Sequence, residues 1–69
     1  MLTIKDITSK INPIKVNITR NGEIKFTVKT LPDINFTKWL IMNGYYFKCE
    51  PNFLDFTFIL TLIPNHIFN

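Results

Sequence analysis

The 69-residue chain has no alanine, no glutamine and only one cysteine, one histidine and one serine. Cys49 alone cannot close an internal disulfide, which points to a reducing compartment, most simply the cytoplasm. His66 and scattered carboxylates do not assemble a ligand cluster, so neither a metal nor another cofactor is expected. Ser9 falls inside a predicted helix, and His66 has no second base or carboxylate pair that the sequence can place beside it. No catalytic residues can therefore be nominated, and an enzyme with a small-molecule substrate is not expected. Cys49 itself falls on the inward register of a predicted strand and reads as a buried, inert thiol.

Long apolar runs are also missing. The longest, residues 53–63, is broken by Asp55 and falls far short of the ~20 residues that span a bilayer, so no membrane partner is expected. Residues 1–10 lack the uninterrupted apolar core of a secretory leader. Two glycosylation sequons, Asn17-Ile18-Thr19 and Asn35-Phe36-Thr37, read as chance matches in a chain rich in Asn and Thr.

What is abundant is eleven Ile, eight Asn, seven Lys and seven Phe. All four have AT-rich codons. The bias points to an AT-rich genome, with a phage or other mobile element as the expected source. The formal net charge is +3. At this length the chain is one domain, residues 1–69, and a core of that size supplies only ~3–5 kcal/mol net, so partners are common.

The clearest local pattern lies in residues 14–28. Ile14, Val16, Ile18, Ile24, Phe26 and Val28 alternate with polar residues on both sides of an Asn21-Gly22 turn signal. A two-residue loop would set Ile18 against Lys25 and mix the faces. A three-residue loop, Arg20-Asn21-Gly22, pairs Ile18 with Ile24, Val16 with Phe26 and Ile14 with Val28, and leaves Gly22 at the left-handed bulge position. The six apolar residues then belong to the core.

Around this hairpin the chain alternates helices and strands. Thr3 caps a first helix ending near Ile11, with Asp6 completing a capping box, Leu2 and Ile7 as a staple, and Asn12-Pro13 as the stop. Asp33 caps a second helix, Ile34 to Met42, closed by Asn43-Gly44. Tyr45 to Cys49 reads as a third strand, residues 50–53 as a turn and Leu54 to Leu62 as a fourth strand. That register sets Cys49 against Leu54, Phe47 against Phe56, Tyr45 against Phe58 and Lys48 against Asp55. The fold expected is a two-layer α+β domain of order αββαββ, a four-stranded antiparallel sheet with two short helices on one face.

Two surfaces are candidates for function. The second helix is apolar nearly all round, beyond what 69 residues can cover. Either the first helix and the tail, residues 64–69, pack over it, or Trp39, Ile41 and Met42 with Tyr45 and Tyr46 form a protein interface. The partner would be a larger macromolecule, with this chain as accessory subunit or inhibitor, or a second copy. The alternative is a nucleic-acid-binding protein using the polar sheet face, with Lys15, Arg20, Lys25, Lys29 and Lys48 meeting phosphates. A homodimer through the fourth strand also follows if that long apolar strand lies at an edge, where it would need cover.

Overall fold

The computed structural model describes residues 2–64. It contains α1 (Ile4–Ile11), β1 (Lys15–Ile18), β2 (Ile24–Val28), α2 (Ile34–Met42), β3 (Tyr45–Asn52) and β4 (Thr57–Pro64). The strands form one antiparallel sheet of four in the order β1-β2-β4-β3. The α+β reading is therefore correct in element number, element order and sheet type.

Both helices begin where their caps dictate. The Thr3 hydroxyl accepts the Asp6 amide at 3.2 Å, and the Asp6 carboxylate accepts the Thr3 amide at 3.0 Å, a reciprocal capping box. Asn12, at φ 46, ends α1 in the left-handed conformation that asparagine tolerates. The Asp33 carboxylate accepts the Phe36 amide at 2.9 Å to open α2, and Gly44, at φ 85, turns the chain out of it.

The first hairpin has the expected register, Ile18 with Ile24 and Val16 with Phe26. The Thr19 amide donates to the Glu23 carbonyl at 2.9 Å, the Gly22 amide donates to the Thr19 carbonyl at 3.0 Å, and Gly22 has φ 83. This is the three-residue bulged loop. Ile14 departs from expectation: its amide donates to the Thr27 carbonyl at 2.8 Å, and the ladder begins one residue later at Lys15.

The second hairpin differs from the sequence reading. β3 continues through Pro51 to Asn52, the turn is residues 53–56, and β4 starts at Thr57. Phe47 lies opposite Leu62, Cys49 opposite Leu60, Tyr45 opposite Pro64 and Lys48 opposite Thr61, replacing the partners Phe56, Leu54, Phe58 and Asp55. Pro51 reads as a turn residue in sequence, but β3 is an edge strand, where a missing N–H can face away from the ladder at no cost. Each β3 residue slides along β4 by an even number of positions. Every side chain that stays in the ladder therefore keeps its face, whereas Leu54 and Phe56, expected on the core side of the fourth strand, fall in the turn and are exposed.

The core is Ile7 from α1, Phe36 and Leu40 from α2, and Phe26, Val28 and Leu60 from the two central strands. Leu2, Ile4, Ile11, Ile24, Trp39, Tyr45, Phe47, Phe58 and Leu62 pack around it half-buried. Both helices thus cover the same sheet face. Their cover stops at β2. Ile14, Val16 and Ile18, expected in the core, are exposed, because β1 is the outer strand on a side that neither helix reaches. β4 lies inside the sheet, so the homodimer edge expected of it does not exist; the edges are β1 and β3. Packing of the tail, with His66, over α2 falls outside the described residues beyond Pro64, which itself ends β4.

Candidate protein-binding surface

α2 divides the five residues nominated as a protein interface. Trp39 is half-buried: its ring lies 5.7 Å from Phe36, and the Lys10 ammonium sits 4.8 Å above it. That cation–π contact ties the end of α1 to the flank of α2. Tyr45 is half-buried against the core, while Tyr46, the next residue along β3, faces the opposite side of the sheet. Ile41 and Met42 stay in solvent, with Met42 86 % exposed. Ile34 is exposed too, and its spacing to Ile41 and Met42 sets all three along the outer stripe of α2. The exposed part of the nominated patch is therefore split between Ile41 and Met42 on the outer face of α2, supported by Trp39 and Tyr45, and Tyr46 on the opposite face of the sheet.

A second apolar surface was missed by the sequence reading. The turn joining β3 to β4, Phe53-Leu54-Asp55-Phe56, exposes Phe53 by 78 %, Leu54 by 95 % and Phe56 by 83 %. Polar side chains at its two ends hold it. The Asn52 side-chain carbonyl accepts the Leu54 amide at 3.2 Å, and the Thr57 hydroxyl donates to Asp55 at 2.6 Å. Phe56 has φ 57, a left-handed conformation unfavourable for an aromatic residue. An apolar notch of about 110 Å³ lies beside it, lined by Pro51, Phe53, Phe56 and Phe58. The available signal was Asn52 and Asp55 bracketing two apolar residues, a pairing of turn-forming side chains. The alternation Leu54, Phe56, Phe58 masked it.

The helix-free face of the sheet collects most of the nominated basic residues. Lys25 and Lys48 flank Thr61 in one row across β2, β4 and β3, and Lys15 stands one row away, opposite Thr27. The Lys25 ammonium donates to the Thr61 hydroxyl at 3.0 Å, and Thr61 is buried beneath its neighbours. Lys48 pairs with Glu50 at 3.6 Å, both well exposed, a contact worth ~0–1 kcal/mol. Arg20 is in the β1–β2 loop, and Lys29 follows the other end of β2, so the sheet does not gather them with Lys25.

Cys49 keeps the helix-side register but is exposed, because β3 is an edge strand. Its thiol pKa is raised, first by partial desolvation and then by the neighbouring Glu50 carboxylate, which keeps it protonated and a poor nucleophile. Among the described residues no group of three or more His, Cys, Asp or Glu side chains could hold a metal ion. Nor is any described helix long and apolar enough to cross a membrane.

No family model, curated protein or solved structure matches the chain. Its chemistry must be argued from its own surfaces. Two strongly exposed apolar groups lie at opposite ends of β3: Met42 precedes the start of that strand and Phe53 follows its end.

Proposed function

We propose that this chain is a small non-enzymatic binding protein that engages a larger protein, as an accessory subunit or an inhibitor. The observation that carries this reading is the turn of residues 53–56. Three large apolar side chains stand in water there, one on a backbone conformation that costs stability. Solvent-exposed Phe and Leu gain only when a partner covers them, and aromatic anchors seated in a pocket dominate protein interfaces. The partner this chemistry fits presents an apolar cleft that accepts the turn. Ile34, Ile41 and Met42 offer a separate apolar contact at the other end of the molecule.

The test uses the tagged chain and quantitative mass spectrometry of what co-purifies from source cells. Wild type and the double variant Ile41→Ser/Met42→Lys are expected to enrich one and the same protein. The triple variant Phe53→Ser/Leu54→Ser/Phe56→Asn is expected to lose it at least tenfold while remaining folded by circular dichroism. Undiminished capture by the triple variant defeats the reading.

A second reading has one observation in its favour: the uncovered sheet face carries Lys15, Lys25 and Lys48 around Thr61. Phosphate contacts there would make the chain a nucleic-acid-binding protein. Engagement of about three phosphates gives a log–log salt slope near −2 to −3. A flat response, or no retention of oligonucleotide at low salt, excludes it.

A further inference from the structure

The two edges of the sheet are not equivalent. β3 is blunted by Pro51 and by the Lys48–Glu50 pair. β1 has no proline, and all four of its residues are exposed. The bond from the Thr19 amide to the Glu23 carbonyl marks that pair as hydrogen-bonded. Antiparallel alternation then directs Asn17 and Lys15 toward β2, and turns the amides and carbonyls of Val16 and Ile18 off the sheet. Among the described residues those groups have no partner, and they sit beside two apolar side chains on the helix side, Val16 and Ile18, which are 38 % and 58 % exposed.

We infer that β1 pairs with β1 of a second copy about a two-fold axis at Asn17, joining two sheets of four strands into one of eight. Three arguments select this register. An offset that sets Val16 against Asn17′ would mix the faces, so Val16 must meet an even-numbered partner. Setting Val16 against Ile18′ and Ile18 against Val16′ closes four backbone hydrogen bonds and uses every outward group of both residues. It also covers both apolar side chains with each other.

Charge makes the third argument. In this register Lys15 faces Thr19′, whose cross-strand neighbour is Glu23′. The opposite charges stand two strand spacings apart, ~10 Å, within reach of two long side chains on one face. The competing register, Val16 against Val16′, faces Lys15 with Asn17′, whose neighbour is Lys25′, and so brings like charges together. The occupant that fits the β1 edge is therefore a second copy of this chain. The inference is independent of the turn at residues 53–56, which lies in the other hairpin and remains free in the dimer.

The experiment is sedimentation equilibrium combined with cysteine cross-linking in a Cys49→Ser background. Asn17 and Asn17′ form a non-hydrogen-bonded pair, where Cβ atoms approach to ~4.5–5.5 Å. Asn17→Cys is thus expected to give a disulfide-linked dimer on mild oxidation, and Val16→Cys, set beyond bridging distance of its own copy, is not. Wild type is expected to sediment as a dimer, and Ile18→Lys, at an exposed position, as a folded monomer with an unchanged circular dichroism spectrum. Glu23→Lys is expected to weaken dimerisation by roughly three- to tenfold, and Lys15→Glu/Glu23→Lys to restore it. A wild-type chain that stays monomeric at its highest soluble concentration overturns the inference. So does cross-linking by Val16→Cys in place of Asn17→Cys.

Discussion

Phe56 is disfavoured twice over. Its φ of 57 places an aromatic residue in the left-handed region, and its ring is 83 % exposed. The backbone cost is ~1–2 kcal/mol. Asparagine tolerates that conformation and needs no apolar cover. Phe56→Asn is therefore expected to stabilise the free protein by about 1 kcal/mol, a rise of roughly 4–8 °C in midpoint for a domain of this size. Thermal unfolding followed by circular dichroism measures it. A lowered midpoint would mean that the ring contributes to the fold, and it would remove the turn as evidence for a docking role. Such a residue is hidden from sequence reading, since Phe56 fits the strand alternation perfectly and only the backbone of residues 53–56 shows that it lies outside the ladder.

At the scale of elements, α1 is held at its start by the Thr3–Asp6 box. Hydrogen bonding to the Thr3 amide, and then to its hydroxyl, lowers the Asp6 pKa below its ordinary value of 3.8. A carboxylate whose folded pKa is depressed adds stability above its unfolded pKa and loses it as pH falls through the folded one. Wild type is thus expected to exceed Asp6→Asn in urea midpoint at neutral pH, with the difference vanishing well below pH 3.8. A gap that persists in strong acid would assign the cap's effect to geometry alone. The caps and the first hairpin were legible because each rests on a local rule: a side chain three residues from an orphan amide, or a glycine at the one position needing positive φ. The second hairpin was not, because Pro51 carries opposite meanings at a turn and at a sheet edge, and edge position is settled by strands distant in sequence. The two interface proposals met the same barrier. Trp39, Ile41 and Met42 were identified as one apolar group, but which of them stays in water depends on where α1 and Lys10 pack.

For the whole molecule, the core is narrow. Among the described residues six carry it, and they come from α1, α2, β2 and β4. Phe26, 1 % exposed, is expected to cost ~3–5 kcal/mol on truncation to alanine, comparable with the total stability of so small a domain. Phe26→Ala should therefore be largely unfolded at room temperature, whereas Ile18→Ala, on the same hairpin at an exposed position, should unfold within about 0.5 kcal/mol of wild type when both are compared as monomers at high dilution. Equal losses from the two substitutions in the monomer would show that Ile18 is packed within its own chain. The alternation within residues 14–28 could not separate these cases, since it gives the side of a strand and not whether anything lies over that side.

The central place of β4 has a consequence for how the protein folds. β1, β2, α2 and β3 all precede Thr57 along the chain, yet β2 and β3 have no bond to each other and depend on the strand that joins them. Ile24 must find Leu62, and Val28 must find Phe58, across most of the chain. Without β4 the sheet has two unfinished edges and a bare apolar face, a template for pairing with other copies. Closure of the sheet requires β4 to enter between the two halves, so pairing between residues distant in sequence, more than helix formation, is expected to set the folding rate.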